Sequence, residues 1–302
     1  MQIELSRRAF LKQATRSVLA LNLCPRIDPG FGLRGLAREG DPLALPNQLL
    51  TMVNEERARG GLSALKLDEL ACKVAQKHAI EMAEHVFLSH WDRDGLKPYH
   101  RYSFAGGTEA IEENEGATNQ GSPIPAEEIA PEVIGLHQRM YDESPPHDGH
   151  RRAILGAHHT HAGFGIACRG AHVRLSEIYL ARYATIDPHP AVVKPRSRFI
   201  FAGRVLDPAY AVKSIDVFYE TLPAKRDLPA LLTPQPYGLW TIVKHCSSNF
   251  RRTIFTKMER AVQSNYQAAE SFARRFTRPG ETRGFIRLSC GFRRKRLATH
   301  FR

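Results

Sequence analysis

Apolar side chains recur at helical spacing in the first part of the chain. Residues 47–59 place Leu49 and Val53 on one face, and the glycine pair that follows favours an end to the helix. A second apolar stripe of the same period runs over residues 70–82, and Asp68 stands where its N-cap is expected. The pattern therefore predicts two amphipathic helices joined by a short connection.

A third helix is predicted further along the chain. Apolar residues recur at helical spacing over residues 133–140, Pro131 fits the first turn, and Pro145-Pro146 is expected to end the helix. Glu143 continues the apolar stripe, so the spacing predicts a carboxylate that faces inward. Burying a carboxylate is costly unless it is paired or binds a cation, and Glu143 is therefore a candidate ligand.

The remaining segments have other patterns. Residues 87–128 contain five glycines and little periodicity, which indicates loops with short strands. Alternating positions further on predict β-strands, and this alternation stops after Trp240. The predicted elements after the third helix are a short helix over residues 150–155 and strands near residues 162–168, 174–183, 199–206 and 214–220.

Charge is distributed unevenly along the 302 residues. The chain has 43 Lys and Arg against 31 Asp and Glu, a formal net charge of +12. The stretch 243–302 has 15 basic and 3 acidic residues, whereas the first 242 residues have 28 of each. The positive charge therefore belongs to the last 60 residues. Because the first 242 residues have no net charge, nucleic-acid binding by the folded part is disfavoured. An anionic membrane or cell-wall polymer is the partner expected for this basic tail, and a solvated charged end is the alternative.

The N-terminus resembles a twin-arginine export signal. Arg7 and Arg8 are followed by a short apolar run and a lysine. The apolar stretch 17–24 is shorter than the ~20 residues of a spanning helix, so it predicts export to the periplasm, the cell envelope or the medium. An ordinary basic amphipathic N-terminus is the alternative.

The five cysteines form no C-x-x-C pair, which argues against a zinc ribbon and a disulfide-rich scaffold. Cys72 and Cys168 are expected to be small core residues.

Together these features predict an α+β protein with a mixed helix and strand domain followed by a partial β-rich, sandwich-like segment and a basic tail. The tail begins where the alternation stops, before enough strands exist to close a core, so we predict that it is poorly ordered or arises from a reading-frame shift. The predicted parts are an export signal (1–37), a linker (38–46), the mixed domain (47–186), the β-rich segment (196–242) and the tail (243–302).

Four residues suggest metal chemistry. His90, Glu113, Glu143 and His150 together offer two imidazoles and two carboxylates, a donor set suited to zinc or another divalent cation. Several further histidines surround His150, and they either bind metal or form a polar loop in which one ring caps a turn. These are His147, His158, His159 and His161.

A set of short motifs, in this order and spacing, resembles the CAP superfamily of cysteine-rich secretory, antigen 5 and pathogenesis-related proteins. The bacterial SCP-like branch is the most similar, and the resemblance covers about residues 45–185. The motifs lie at residues 49–59, Gly61-Leu-Ser-Ala-Leu65, Ala75-Gln-Lys-His-Ala79, Phe87-Leu-Ser-His90, Glu113-Asn114, His150-Arg-Arg-Ala-Ile-Leu155 and Gly163-Phe-Gly165.

The resemblance implies an α-β-α sandwich with a central cleft that displays two His and two Glu. These match His90, Glu113, Glu143 and His150. The chain departs from the family pattern at Glu112, where the family has glycine, and at Met140, where it has an aromatic residue. Glu112 would replace Glu113 if the local strand slipped by one residue, because such a slip reverses the side that faces inward.

Two classes of function follow for the folded part. The first is an exported binding module, not an enzyme, whose cleft holds a divalent metal with a small ligand, lipid or peptide nearby. The second is a metal-assisted, peptidase-like hydrolase that uses the same His and Glu residues as general acid and base. The chain has no G-x-S-x-G motif and no evident Cys–His pair, which favours the binding module.

Overall fold

A computed structural model describes residues 44–187, 202–221, 223–233, 235, 242–247 and 284–294. The export signal and the linker up to residue 43 lie outside these ranges. The described helices are α1 (Ala44–Arg59), α2 (Glu69–His85), α3 (Pro98–Phe104), α4 (Ala126–Tyr141), α5 (Gly149–Ile154) and α6 (Leu228–Leu232). The strands are β1 (Lys66–Leu67), β2 (Ala110–Asn119), β3 (His161–Arg169), β4 (His172–Ala181), β5 (Ala184–Ile186), β6 (Gly203–Val205), β7 (Tyr210–Thr221), β8 (Ile242–Ser247) and β9 (Gly284–Arg294).

A four-stranded sheet in the order β1-β3-β4-β2 forms the middle layer of an α-β-α sandwich. The strands β2, β3 and β4 are antiparallel, and β2 lies at one edge. Helices α2 and α3 pack on one face, while α1, α4 and α5 cover the other. Because side chains alternate along a strand, neighbouring residues of β2 point into different layers. This confirms the predicted fold class for the mixed domain.

Two glycines let α2 lie directly on the sheet. A Cβ at Gly165 would come within 2.1 Å of the Ala75 backbone, and one at Gly163 within 2.4 Å of the Cys72 backbone. Asp68 accepts a hydrogen bond from the Ala71 backbone N–H, which confirms it as the N-cap of α2. The close approach fixes the helix against β3 and brings its C-terminal end beside the loop that carries His90.

A buried polar network lies on the face of the sheet opposite α2, beneath α1 and α4. His137 in α4 lies between two carboxylates, with Nδ1 2.7 Å from Glu177 and Nε2 3.1 Å from Glu56. The Tyr179 hydroxyl and the Asn114 amide also donate to Glu177. Burial by itself lowers the pKa of His137, but the charges and hydrogen bonds of Glu177 and Glu56 outweigh it and raise the pKa to about 10. The network joins α1, α4, β4 and β2.

Several predicted boundaries differ from the observed ones. Helix α4 begins at Ala126, five residues before Pro131, so the prediction that Pro131 stands in the first turn is wrong. The missing N–H of a proline costs one hydrogen bond inside the helix, and burial of the apolar face outweighs it. Helix α4 ends at Tyr141, so Glu143 follows the helix instead of continuing its stripe. The structure also contains α3 and the ten-residue β2 where loops with short strands are predicted.

Beyond the sandwich, the chain forms two further sheets. Strands β5 and β6 pair with each other, and β7 pairs with β8 and β9 on its two sides. Apart from Ile242, strands β8 and β9 lie within residues 243–302. The predicted division of the chain into parts stays a prediction.

Cys72 is buried and Cys168 half-buried, and both are free. Within the described ranges, no helix has the length and apolar character needed to cross a membrane.

A segment that follows β7 packs back on the sandwich. Leu231 of α6 is buried with Met82, Phe87 and Trp91. The Arg226 guanidinium lies 4.2 Å from the centre of the Trp91 ring, and the Arg226 backbone N–H donates to the Arg93 carbonyl. This segment therefore supports the loop that leads into and out of His90.

Candidate functional site at the edge of the sheet

The loop after α2 and the edge strand β2 bring His90 and Glu113 together. His90 Nδ1 lies 3.1 Å from Glu113 Oε2, and the Arg101 guanidinium of α3 donates to the other carboxylate oxygen. Arg101 also donates to the carbonyls of His90 and Leu96, so it fixes the loop as well as the carboxylate. The His90 side chain is 24% exposed while that of Glu113 is fully buried. The imidazole is thus held from inside and faces outward.

The charge state of Glu113 determines how His90 is oriented. Burial alone would raise the pKa of Glu113, but Arg101, His90 and His78 outweigh it and lower the pKa to about 2. The carboxylate is therefore ionised at neutral pH and can only accept hydrogen bonds. His90 Nδ1 must carry the proton that it shares with Glu113, and a neutral His90 ring would have its lone pair on Nε2.

A second pair of the same kind forms between α4 and α5. His150 Nδ1 lies 2.5 Å from Glu143 Oε1, and the His150 backbone N–H donates to Glu143 Oε2 over 2.9 Å. Glu143 therefore binds both the backbone and the ring of one residue. The His150 side chain is 35% exposed. As in the first pair, a carboxylate binds Nδ1 of a partly exposed imidazole.

Adjacent residues of β2 connect the two pairs. Glu113 contacts His90 on one face, and the Asn114 amide donates to the His150 carbonyl over 3.1 Å on the other. Because β2 is an edge strand, the two layers of the sandwich meet at its open side. We call the pairs His90–Glu113 and His150–Glu143, arranged about this edge, the edge site.

A fully buried group lies behind Glu113. The ligand atoms of His78, Glu113 and Glu115 are within 4.8 Å of one another. His78 Nε2 is 2.8 Å from the Ser89 carbonyl oxygen, and Ser176 donates to Glu115. Burial and the neighbouring Glu113 charge raise the pKa of Glu115, while burial and Arg101 lower the pKa of His78 to about 3. A cation here would face the Arg101 charge, so this group suits structural support better than metal binding.

The sequence-predicted residues are thus placed in two pairs. Among the described residues, two groups of three have ligand atoms within 4.8 Å of one another, and neither contains more than one of the four predicted ligands. One is the group behind Glu113, and the other consists of Glu112, His158 and His159. Joint binding of a single ion by His90, Glu113, Glu143 and His150 stays a prediction.

The register of β2 separates Glu113 from Glu112. Glu113 lies opposite Ile178 of β4 and contacts His90, whereas Glu112 lies opposite Tyr179 and contacts His158. The pairing of β2 with β4 is continuous, so the one-residue slip that would exchange the two does not occur.

The sequence interpretation missed Arg101, whose role depends on a helix that was not predicted. The signal available was Pro98, which favours the first turn of a helix and places Arg101 one turn later. The sequence interpretation also missed His137 and Glu177. Their signal was a polar residue inside an otherwise apolar stretch, because such a residue needs a buried partner.

The part of the chain that forms the sandwich matches a known protein family in sequence. Residues 50–183 match the sequence model of CAP, the Cysteine-rich secretory protein family. No curated protein matches the chain.

Part of the chain also matches solved structures, three of them from bacteria. An outer surface protein from Borrelia burgdorferi is 17% identical, with a TM-score of 0.35, over 49% of this chain and 99% of that one. An extracellular protein with an SCP domain from Bacillus anthracis is 18% identical, with a TM-score of 0.34, over 48% and 45%. A cysteine-rich secretory protein from Staphylococcus aureus is 20% identical, with a TM-score of 0.34, over 48% and 41%. The chain spans less than half the length of the last two.

Proposed function

Because residues 50–183 form a CAP domain, we propose that the chain is an exported binding module whose edge site holds a divalent metal ion. His90 and His150 supply the ligand nitrogens, and Glu113 and Glu143 hold the two rings in position. The ligand that the module carries is a small molecule, a lipid or a peptide that reaches the exposed edge beside the ion.

The observation that carries this proposal is the repeated pairing of a carboxylate with Nδ1. A histidine that binds a metal commonly shares its other ring nitrogen with a carboxylate, which fixes the tautomer and the ring orientation. Both His90 and His150 have this arrangement, and both rings are partly exposed. The donor set suits zinc or a similar divalent cation.

The two carboxylates are better suited to orienting the rings than to binding the ion. Glu113 already accepts from Arg101 and His90, and Glu143 binds the His150 backbone as well as its ring. A cation bound directly to Glu113 would be repelled by the Arg101 guanidinium. The proposal therefore assigns metal binding to the imidazoles, with water or a ligand group completing the coordination.

Zinc titration of the untagged chain by calorimetry tests this function. We expect His90→Ala/His150→Ala to lose one bound ion, and we expect Glu113→Gln to weaken zinc binding by about 10-fold to 100-fold because it removes an orienting carboxylate. His85→Gln is a matched control, since its ring lies at the exposed end of α2 and pairs with Arg93. Equal zinc stoichiometry in the wild type and the double variant would overturn the proposal.

A hydrolase remains the competing function, and the same pairing supports it. A carboxylate that binds Nδ1 of a partly exposed imidazole is also the arrangement of an oriented general base. A screen with peptide, ester and lipid substrates, with and without added zinc, distinguishes the two functions. Turnover that is lost in His90→Ala and in His150→Ala would favour the hydrolase, and no turnover is the result expected of a binding module.

A further inference from the structure

A turn that joins α5 to β3 brings two histidines against the face of β2 that carries Glu112. His159 donates its backbone N–H to the Gly156 carbonyl, which closes the turn, and the preceding residue is His158. Both rings approach the Glu112 carboxylate. We propose that Glu112, His158 and His159, which we call the turn cluster, form a second site for a divalent transition metal such as zinc.

The spacing of the ligand atoms fits a tetrahedral ion. His158 Nε2 lies 3.5 Å from Glu112 Oε1, and His159 Nε2 lies 3.7 Å from Glu112 Oε2. Zinc bonds of 2.0–2.1 Å in tetrahedral geometry place neighbouring ligand atoms about 3.3 Å apart. The two imidazole–carboxylate spacings are within a few tenths of an ångström of this value, and the ligand atoms of all three residues lie within 4.8 Å of one another. The side chains of Glu112 and His158 are 45% and 56% exposed, so water or a ligand group can occupy the fourth position.

The state of His159 is an independent indication of a ligand. Its side chain is 1% exposed, and its Nε2 makes no hydrogen bond, while the Ala153 backbone contacts the ring. A buried ring nitrogen without a hydrogen bond is costly. The ring stacks on Tyr179, with centroids 5.6 Å apart, and its Nε2 faces Glu112. A bound ion would satisfy the nitrogen that burial has separated from water.

The surrounding structure builds the turn for this ring. A Cβ at Gly156 would come within 2.5 Å of the His159 ring, so only glycine leaves room for it. The buried Arg57 guanidinium donates to the carbonyls of Ile154 and Gly156, which fixes the backbone on which both histidines stand. The rings are therefore positioned by α1 as well as by their own turn.

The turn cluster shares no residue with the edge site, although Glu112 lies on the same face of β2 as Asn114, which contacts His150. Glu112 and Glu113 are neighbours in β2, and alternation directs their side chains into different layers. Arg101 and His90 bind Glu113, whereas the turn histidines face Glu112. An ion at the turn cluster would share no ligand with the edge site.

Cobalt and zinc titrations of the untagged full chain test this proposal. We expect the wild type to bind two ions and Glu112→Gln/His158→Gln to bind one, with binding at the altered site weakened at least about 100-fold. Both altered side chains are about half exposed, so this variant should remain folded, which circular dichroism checks. Glu127→Gln/His85→Gln is the matched control, since it removes an exposed carboxylate and an exposed imidazole elsewhere. The absorption bands of bound cobalt report whether thiolates take part.

The outcomes separate this site from the edge site. Loss of one ion in Glu112→Gln/His158→Gln, with one ion retained by His90→Ala/His150→Ala, supports the turn cluster. If the wild type binds one ion and only Glu112→Gln/His158→Gln loses it, the turn cluster stands and the edge site fails. Unchanged stoichiometry in Glu112→Gln/His158→Gln, or cobalt bands typical of thiolate ligands, would overturn the second site.

Discussion

At the scale of single residues, a buried histidine lies between two carboxylates in the layer opposite His90. His137 is held between Glu56 and Glu177 without access to water. Removing one partner of a buried ion pair leaves an uncompensated charge, which costs more than the pair itself contributes. The stability of the sandwich therefore depends on the proton that His137 carries.

We predict that His137→Gln lowers the free energy of unfolding at pH 7 by about 3 to 5 kcal/mol. The remaining carboxylates of Glu56 and Glu177 would lie buried without a cation between them. Urea unfolding followed by circular dichroism measures the loss. His147→Gln, which changes an exposed imidazole, should unfold like the wild type, and equal stability of the two variants would contradict the role of His137.

The same residue sets a pH dependence. The pKa of His137 is about 10 in the folded state and about 6.5 in an unfolded chain, so folding takes up a proton between these values. Its stabilisation is complete below pH 6.5 and is lost as the pH rises through 10. The difference in unfolding free energy between the wild type and His137→Gln should therefore shrink from pH 7 to pH 10.

Arg101 has the corresponding role at the edge site. We predict that Arg101→Gln destabilises the chain by about 3 to 5 kcal/mol at pH 7, because Glu113 would remain buried and ionised. The loss should be smaller at pH 4, since the pKa of Glu113 rises without the guanidinium and the carboxyl can take up a proton. Arg169→Gln is the control, because it breaks an exposed ion pair worth about 1 kcal/mol or less. A loss that does not vary with pH would contradict the role of the ion pair.

The sequence predicts the four residues of the edge site but not Arg101 and Asn114, which contact them. Short motifs fix His90 and His150, since each motif lies on one local segment. Arg101 reaches Glu113 only because α3 folds over the edge of β2, and no local pattern records that contact. The helical stripe predicts an inward-facing Glu143, whereas the structure places Glu143 after the helix, where it binds the first turn of α5.

At the scale of elements, the contact between α2 and β3 fixes the sandwich. Helical periodicity predicts α2, which buries one apolar face, and the apolar run of β3 predicts a strand whose positions 162–167 are all buried. The ten-residue β2 was not predicted, because its centre is Glu-Glu-Asn-Glu, which has a low strand propensity. Buried partners in two layers of the sandwich, and not propensity, keep this strand in the sheet.

We predict that Gly165→Ala lowers the free energy of unfolding by more than about 3 kcal/mol, because the added methyl group meets the backbone of Ala75 and Gln76 at 2.1 Å. Backbone atoms within a packed helix cannot move aside as the end of a side chain can. Thermal unfolding measures the effect. A Cβ at Gly121 meets nothing within 4 Å, so Gly121→Ala should have little effect, and equal losses in the two variants would contradict the close packing.

At the scale of the whole molecule, residues after β7 contribute to the sandwich. Leu231 is buried against Trp91, and Lys225 lies 3.4 Å from Asp94. The sequence patterns gave no sign of this contact, because a five-residue helix has too few turns to show a period. The His90 loop is thus held by Arg101 on one side and by this segment on the other.

We predict that Leu231→Ala destabilises the chain by about 2 to 5 kcal/mol and changes the fluorescence of Trp91, because it removes a buried side chain from the Trp91 contact. Leu232 is the neighbouring residue and is exposed, so Leu232→Ala is a matched control with little expected effect. Equal unfolding midpoints for the two variants would show that α6 does not pack on the sandwich in solution.

Anomalous diffraction tests the metal-binding account most directly. Crystals of the untagged chain would be soaked in zinc, with data collected on both sides of the zinc absorption edge. The proposed function predicts an anomalous peak within bonding distance of Nε2 of His90 and His150, with Glu113 and Glu143 still on the Nδ1 side of the rings. A zinc-soaked crystal with no peak at these rings, or with zinc bound only elsewhere, would contradict it.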